Sequence, residues 1–390
     1  MQQGLIREKN NFLVFGAPDI RDEEINEVVS SLKSGWIGTG PKVQRFEEQF
    51  KEYKNTAHSI SVNSCTAALH LSIIAAGIGT GDEVITTAMT FCATVNAIIH
   101  SGATPVLVDC DYQTQCINPL EIKKKITRKT KAIIPVHFAG YPCDMDKIMA
   151  IAREHKLIVI EDCAHAIETL YKGKPVGTLG DFGCFSFYVT KNVVTAEGGM
   201  VITNNNNYAE RVKILALHGM SQDAWKRFSD DGYKHYQIVF PGFKYNMTDL
   251  QAALGIHQLR RVDESWKKRE DIWNNYTDKL SFAPIKLPSE LQKEHKHGHH
   301  LYTIMINKKI ANISRDDFLV RINQENIGVG VHYKSIASHP YYQERYGWRA
   351  EDFPNANKIG GETLSIPLSS KLNDQDVHDV IAAIRKILNV

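Results

Sequence analysis

Two short segments of the 390-residue chain carry side chains that could do chemistry together. The segment KLIVIEDCAHA has the apolar pattern of a buried strand and ends in acidic residues, of which Asp162 is closely followed by His165. The segment FGCFSFYVTKNVVTAEGG is a second apolar run, and it carries Lys191 ahead of two glycines. Pyridoxal phosphate (PLP) chemistry requires a carboxylate that keeps the pyridine nitrogen protonated and an amine that forms a Schiff base. The two segments therefore indicate a PLP site.

The elements that would position these residues are short apolar runs separated by helical patterns. The runs are HSISV, EVIT, TPVLVD, KAIIPVH, LIVIED and FGCFSF, with helical stretches between the first five and a loop before the last. Buried strands that alternate with helices predict an α/β fold with a parallel or mostly parallel sheet covered on both faces. Ligands of such sheets bind at the carboxyl ends of the strands, which makes residues 63–67, 87–91, 162–165 and 186–191 the candidates.

Helical patterns flank this region on both sides. The segment RDEEINEVVSSLKSG places Ile25, Val28, Val29 and Leu32 on one face of a helix that stops at Gly35. A longer helix is predicted from about Thr248 to Asn275. We expect a large PLP-binding domain at 15–255 and a small C-terminal domain at 256–390, with residues 1–14 packing on the small domain.

Composition excludes several classes of protein. Lys plus Arg total 46 against 44 for Asp plus Glu, so no excess of positive charge indicates binding to nucleic acid or to a membrane surface. The N-terminal residues lack the apolar core of a signal peptide, and no stretch reaches the length of a membrane span. The seven cysteines are spread out and form no CxxC pair, which favours a reducing cytoplasm over a disulfide framework.

Three other motifs have simpler interpretations. The glycines of GIGTGDEVIT follow a helix and precede a strand, which is the reverse of a dinucleotide-binding turn. The basic run KKKITRKTK is typical of a solvated surface. The histidines of HKHGHH (295–300) lack the spacing of a known metal site, so we assign no metal.

A series of further segments resembles the successive signatures of one enzyme family. These segments are GWIGTGPKVQRFEEQF, NSCTAALHLS, GDEVITTAMTF, ATPVLVD, AIIPVHFAGYPCDMD, IEDCAHAIE, FSFYVTKNVVTAEGGMV and GFKYNMTDLQAALG. On these motifs the chain resembles the DegT/DnrJ/EryC1 family of PLP-dependent sugar aminotransferases over nearly its whole length. Within that family it is most similar to enzymes that aminate UDP-linked 4-keto sugars, of the 4-amino-4-deoxy-L-arabinose type.

The resemblance implies an architecture and roles for individual residues. The architecture is fold type I, that of aspartate aminotransferase, in a homodimer with shared active sites. Lys191 would form the Schiff base, and Asp162 would pair with the pyridinium nitrogen. His165 would lie near the phenolic oxygen of the ring, and Phe91 would stack on the ring face. The family's 3-dehydratases replace the lysine by histidine, so the lysine here favours amino transfer over dehydration.

The resemblance also assigns the phosphate end of the cofactor. Thr66, the backbone of Ala67 and Ser186 would hold the phosphate, as a helix N-terminus and hydroxyl groups can. Asn246 would reach that phosphate from the neighbouring subunit. Thr66 and Ser186 could instead be caps of a helix or turn.

The substrates follow from the same resemblance. Trp36, Thr39 and His332 match positions that flank the sugar nucleotide, and Lys334 could meet one of its phosphates. We expect an amino group to pass from an amino acid, L-glutamate by analogy, to a nucleotide-linked keto sugar. Two alternatives stay open: an aminotransferase for a 3-keto sugar or a keto-cyclitol, and a PLP-binding regulator without turnover.

Overall fold

The apolar runs become strands in the computed structural model, which describes residues 5–8, 10–221 and 236–390. All six predicted runs form strands, and the strand at 199–203 was not predicted as one. In chain order the strands are β1 (His58–Val62), β2 (Glu83–Thr87), β3 (Thr104–Val108), β4 (Thr130–Ile134), β5 (Ile158–Asp162), β6 (Leu170–Tyr171), β7 (Lys174–Pro175), β8 (Phe182–Ser186), β9 (Gly199–Thr203), β10 (Tyr302–Met305) and β11 (Thr363–Ile366).

One seven-stranded sheet has the order β1-β9-β8-β5-β4-β2-β3. The neighbours from β3 through β8 are parallel, whereas β9 runs antiparallel to both β8 and β1. Successive residues of a strand face opposite sides of the sheet. Val159 of β5 accordingly packs in one apolar cluster and Ile160 in another. The prediction of an α/β fold with a mostly parallel sheet, covered on both faces, is confirmed.

Helices lie between the strands and after the sheet. In the part of the chain that the structure describes they are α1 (Asp22–Ser34), α2 (Pro41–Lys54), α3 (Cys65–Ala75), α4 (Cys92–His100), α5 (Pro119–Lys125), α6 (Met145–His155), α7 (Asn206–Ala216), α8 (Asp249–Arg260), α9 (Val262–Leu280), α10 (Lys308–Ala311), α11 (Arg315–Gln324), α12 (Pro340–Tyr346), α13 (Pro354–Glu362) and α14 (Asp374–Leu388). None of them combines the length and the apolar character needed to cross a membrane.

The helix predicted from about Thr248 to Asn275 is instead two helices, α8 and α9. The break falls at Arg261, whose backbone leaves the helical region and whose guanidinium forms an ion pair with Glu24 of α1. The guanidinium also donates to the carbonyl oxygen of Asp19 at 2.7 Å. Apolar periodicity carried no signal for this break, because the break depends on a contact with a distant part of the chain.

Helix α1 ends where the sequence predicts, at Gly35, which takes the left-handed conformation with φ of 77°. Its buried residues are polar, however: Glu24 and Ser31 face α8. The apolar face carries Ile25, Val29 and Leu32, which are 51%, 38% and 57% exposed. In a single chain, α1 is thus amphipathic with its apolar side turned outward.

The C-terminal part contains its own two-stranded sheet of β10 and β11 and its own apolar cluster, to which residues of α9, α11 and α14 contribute. The N-terminal segment contacts it, since Leu13 bridges to Ile327 and Arg7 forms ion pairs with Asp376 and Asp379. The domain boundary that we propose at 255/256 lies within α8.

A buried hydrogen-bond network holds the loop beside Asp162. The side chain of Glu161 accepts from the N–H groups of Gly177, Leu179 and Gly180 at 2.7 to 2.8 Å. It also accepts from Nε2 of His137 at 3.0 Å, because Nδ1 of that histidine accepts from the N–H of Cys143. The sulfur of Cys163 lies within 4.8 Å of the ligand atoms of His137 and Glu161. The side chains of His137 and Glu161 are already hydrogen-bonded, so we assign no metal here.

The Glu161 network leads to a stability prediction. Glu161→Gln places an amide NH₂ group among donors, so we expect the free energy of unfolding to fall by about 2–4 kcal/mol. Urea denaturation of the cofactor-free protein measures this loss. Glu294→Gln serves as the control because that carboxylate is exposed and should contribute little. Equal denaturation midpoints for the two variants would contradict the prediction.

Candidate active site

The predicted catalytic residues lie at neighbouring strand ends. Asp162 ends β5 and Ser186 ends β8, and these two strands are adjacent and parallel. Lys191 follows in a turn in which its backbone N–H donates to the carbonyl oxygen of Tyr188 at 2.8 Å. The carboxyl ends of parallel strands lie at the same edge of a sheet. The Asp162 carboxylate at the end of β5 and the Lys191 amine in the turn after β8 therefore lie at the same edge.

Asp162 is 4% exposed, and its carboxylate is held by two donors. One oxygen accepts from the hydroxyl of Thr94 at 2.8 Å, and the other accepts from the N–H of Ala164 at 3.1 Å. Burial raises the pKa of the Asp162 carboxyl above its ordinary value, while these two hydrogen bonds and the Lys191 ammonium lower it. The ionised form therefore gains from any further positive charge placed beside it.

Lys191 carries an amine without a hydrogen-bond or ion-pair partner among the residues that the structure describes. Burial lowers the pKa of this amine to about 8, although the nearby Asp162 and Cys65 side chains act in the opposite direction. A substantial fraction of the amine is therefore neutral near pH 8, which is the form that can attack a carbonyl carbon or accept a proton.

The tautomer of His165 follows from its two contacts. Its Nδ1 accepts from the backbone N–H of Ala139 at 3.2 Å, so the ring proton is on Nε2. Nε2 lies 3.0 Å from the hydroxyl of Tyr333 and donates to it. Burial, followed by the charge of Lys191, holds the pKa of His165 well below its ordinary value. His165 is thus a neutral hydrogen-bond donor toward the site.

Tyr333 is a site residue that the sequence reasoning missed, although both of its neighbours were named. Its ring lies 5.5 Å from that of Phe91 and 5.9 Å from that of His165. Phe91 itself is 56% exposed at the start of α4. The signal in the sequence was an aromatic residue between His332 and Lys334, but only the fold brings the loop of the C-terminal part against β5.

The phosphate end that we predicted is the N-terminus of α3. Ser64, which the sequence reasoning did not single out, caps this helix by accepting from the N–H of Ala67 at 3.1 Å. The hydroxyl of Ser186 accepts from the N–H of Tyr188 at 3.5 Å, and its own proton is free to donate. Thr66 is on the first turn of α3, next to Cys65, whose side chain interacts electrostatically with Lys191.

Gly199 allows β9 to pass close to this helix end. A Cβ atom at position 199 would lie only 2.5 Å from the carbonyl oxygen of Ser64 and 2.7 Å from the backbone nitrogen of Cys65. Gly199, the second of the two glycines and the first residue of β9, is therefore required by the close approach of two backbones. A larger residue at this position would collide with the backbone at the predicted phosphate site.

Asn246 and Thr39 lie together at the end of β1. The side-chain amide of Asn246 donates to the Thr39 hydroxyl at 2.6 Å, and that hydroxyl donates to the carbonyl oxygen of Met247 at 2.6 Å. The amide oxygen of Asn246 is buried and has no hydrogen-bond partner within the described ranges. Trp36 is 54% exposed nearby, against Gly40.

His332 and Lys334 flank Tyr333 in the chain, and their side chains have different surroundings. Nδ1 of His332 is 2.8 Å from the hydroxyl of Ser365 on β11, and burial followed by the charge of Lys191 lowers its pKa to about 4. Lys334 borders a cavity of about 770 Å³ that opens beside Phe91. Its lining also includes Tyr333, Asn96 and His339.

His300 is a second residue that the sequence reasoning missed, since we gave the run 295–300 no role. Its ring lies 4.8 Å from the ring of His165, and its Nδ1 lies 3.1 Å from the amide oxygen of Asn192, the residue after Lys191. A run of histidines ahead of a strand is too common to identify one of them in advance.

The donor set fits PLP at both ends. At one end, a buried carboxylate that lacks a full counter-charge and an unpartnered amine suit a pyridinium ring bearing an aldehyde. His165 presents an N–H donor beside them, as a phenolic oxygen requires. At the other end, a helix N-terminus and two hydroxyl groups suit a phosphate, with β9 kept close by Gly199.

Comparison with known proteins agrees with this chemistry. The sequence profile of the DegT/DnrJ/EryC1/StrS aminotransferase family matches residues 18–385. The spore coat polysaccharide biosynthesis protein SpsC of Bacillus subtilis is 46% identical over 385 residues, which are 98% of this chain and 99% of that protein.

Solved structures with the same fold include two relevant examples. The PLP form of Spr1654 from Streptococcus pneumoniae, a sugar aminotransferase by its description, is 32% identical with a TM-score of 0.89, covering 97% of this chain and 99% of that one. DesI, solved with its TDP-sugar product, is 27% identical with a TM-score of 0.86, covering 99% and 94%. The predicted fold-type I architecture is thereby confirmed. The chain belongs to the DegT/DnrJ/EryC1/StrS family of aminotransferases, as its motifs predict.

Proposed function

We propose that this PLP-dependent sugar aminotransferase moves an amino group from L-glutamate to the 4-keto group of a sugar linked to a nucleotide, with UDP as the favoured carrier. The observation that carries the proposal is a buried Asp162 carboxylate near a buried Lys191 amine that has no hydrogen-bond or ion-pair partner among the described residues. Asp162 ends β5, and Lys191 lies in the turn after the adjacent parallel strand β8. Family membership supplies the reaction class, and the nucleotide, the donor and the sugar carbon are our inference.

A nucleotide-linked substrate is supported by the size and lining of the cavity beside Phe91. A volume of about 770 Å³ is in the range of pockets that take ligands larger than a free sugar. Lys334 gives this cavity a cation that can meet a phosphate, and Phe91, Tyr333 and Tyr341 give it aromatic faces. DesI, a protein of the same fold, was solved with a nucleotide sugar.

The chain's own residues divide the work of the reaction. When bound, PLP supplies an aldehyde carbon that accepts an amine and a ring that takes up an electron pair. Lys191 would hold the cofactor, Asp162 would keep the proton on its ring nitrogen, and His165 would donate from Nε2 to its phenolic oxygen. The α3 N-terminus with Thr66 and Ser186 would bind the phosphate, and the N–H of Ala67 would have to exchange the Ser64 hydroxyl for it.

Lys191 is the group suited to move the proton between the substrate carbon and the cofactor. His165 cannot accept it readily, because Nδ1 is occupied by the N–H of Ala139 and Nε2 already carries a proton. His332 is tied to Ser365. With its pKa lowered to about 8, the Lys191 amine can accept a proton and return it near neutral pH.

A homodimer is supported by the outward apolar face of α1. Ile25, Val29 and Leu32 stand exposed there while Glu24 and Ser31 are buried, which is the reverse of a helix packed only on its own chain. We propose that a second copy covers this face and that Asn246 of the partner subunit reaches the phosphate.

The free cysteines suit work in the cytoplasm, where thiols stay reduced.

The substrate is tested with purified enzyme, PLP, L-glutamate and a panel of UDP- and dTDP-linked 4-keto and 3-keto sugars with one keto-cyclitol. We expect amination of a UDP-linked 4-keto sugar, identified by mass and NMR. Asp162→Asn should lower the turnover at least about a hundredfold, because the pyridinium loses its charged partner. Preference for a 3-keto sugar or the cyclitol would replace the substrate assignment. PLP binding without turnover of any substrate would favour a regulator.

The pKa of Lys191 is tested in the cofactor-free protein. We expect its acylation by a small amine-reactive reagent, followed peptide by peptide in a mass spectrometer, to show a midpoint near pH 8. Asp162→Asn should move that midpoint to lower pH, because the carboxylate favours the ammonium form. Lys147 is the control, since Asp144 raises its pKa. A Lys191 midpoint close to that of Lys147 would refute the prediction.

The shared site is tested with hybrid dimers. Lys191→Ala should be inactive because it lacks the amine, and it is combined with an Asn246 variant that is inactive as a homodimer. If the two variants are unfolded and refolded together, each hybrid should regain one working site of its two. That site combines the intact Lys191 of one chain with the intact Asn246 of the other. Verified hybrids without activity would show that Asn246 serves its own chain.

A further inference from the structure

His300 occupies a place that neither the reaction nor the family comparison assigns. It lies two residues before β10, is 5% exposed, and packs its ring 4.8 Å from that of His165. Its Nδ1 is 3.1 Å from the side-chain oxygen of Asn192, which follows Lys191 in the chain. One buried imidazole thus contacts a site histidine directly and the lysine's neighbour through a hydrogen bond.

The surroundings of Asn192 determine which nitrogen of His300 carries the proton. The Asn192 amide nitrogen donates to the carboxylate of Glu168 and to the carbonyl oxygen of Gly298, both at 2.9 Å. Because the carbonyl oxygen of Gly298 can only accept, the orientation of the amide is fixed and its oxygen faces His300. The Nδ1 of His300 must therefore donate, and Nε2 is left as an acceptor.

The hydrogen bonds around Asn192 close into a ring. Arg269 of α9 pairs with Glu168 at 2.5 Å, and its Nε donates to the carbonyl oxygen of His299 at 3.1 Å. Glu168 bonds to Asn192, Asn192 bonds to His300, and His300 is joined to His299 by the chain itself. The ring connects the segment after Lys191 to the segment that enters the C-terminal sheet.

The backbone at this ring is strained and closely packed. His299 has a φ of 45°, in the left-handed region that histidine enters at a cost. A Cβ atom at Gly140 would lie 3.0 Å from the backbone of Gly298, so the loop holding Ala139 and the loop holding His300 meet at two glycines. The N–H of Ala139 donates to His165, and the ring of His300 packs against it, so both loops contact the His165 imidazole.

We propose that His300 is a positioning residue of the active site, which holds Lys191 in place through Asn192 while its ring packs against that of His165. The proposal rests on the proposed function, because it concerns how these two residues reach the same cofactor. Without His300, the Asn192 oxygen loses its donor and the flank of His165 is no longer filled. The Lys191 amine would then meet the aldehyde carbon less often.

A residue that positions Lys191 can be told apart from one that only stabilises the fold by comparing two ligands of the cofactor-free enzyme. PLP binds with a covalent bond to Lys191, whereas pyridoxamine phosphate has no aldehyde and forms no such bond. The variants are His300→Leu, His300→Asn and the matched control His295→Leu. His295 belongs to the same run but stacks on Tyr171 and accepts from the N–H of Lys172.

We expect His300→Leu to weaken PLP binding at least about tenfold and to change pyridoxamine phosphate binding less than about threefold. His300→Asn should regain most of the PLP affinity, because its amide can donate to Asn192 from near the position of Nδ1. His295→Leu should match the wild type for both ligands. Equal weakening of both ligands by His300→Leu, or an Asn variant no better than the Leu variant, would overturn the proposal.

A second measurement does not depend on the variants. The ¹⁵N chemical shifts of the cofactor-free wild type should show His300 with its proton on Nδ1, and a proton on Nε2 would overturn the proposal.

The outcomes also distinguish a failure of the proposed function from a failure of the role of His300. A wild type that forms no bond between PLP and Lys191 removes the proposed function. A wild type that forms it, with an unchanged ligand ratio in His300→Leu, removes only the role of His300.

Discussion

The electrostatic relation between Asp162 and Lys191 is the constraint on which the site depends. Two groups of opposite charge lie out of water, and burial acts against both charges, raising the pKa of the carboxyl and lowering that of the amine. The carboxylate has two protein donors, from Thr94 and Ala164, and the amine has no hydrogen-bond acceptor among the described residues. A cationic ring that carries an aldehyde would satisfy the carboxylate and use the amine, which is why these two groups together suit PLP.

Hydrogen bonds from several segments hold Asp162 and Lys191 in their positions. The backbone of Asp162 is bonded to Pro135 and His137 at the end of β4, and the adjacent Glu161 anchors a loop on the other side of the strand. Lys191 is not on a strand, and its turn is secured by Tyr188 behind it and by Asn192 ahead of it. A precise position for a residue in a turn therefore requires contacts from several distant segments.

The sequence predicted much of the fold because its signals are local. Six buried strands, the end of α1 at Gly35 and the residues at the strand ends were visible as apolar runs, a glycine and polar residues that follow them. Tyr333 and His300 were not, because they enter the site from the C-terminal part through contacts between distant residues. The break at Arg261 and the outward apolar face of α1 are also set by tertiary contacts, which periodicity does not encode.

The antiparallel strand β9 has a consequence for the order in which the molecule is made. Strand β1 is at the edge of the seven-stranded sheet and its neighbour there is β9, so His58 cannot pair with Thr203 until Thr203 has been synthesised. Gly199, at the start of β9, also closes against the N-terminus of α3. Strand β1 and the N-terminus of α3, where we propose that the phosphate binds, are thus completed by β9, which follows them by more than a hundred residues in the chain. We therefore expect this part of the site to take shape only when that long-range pairing forms, late in folding.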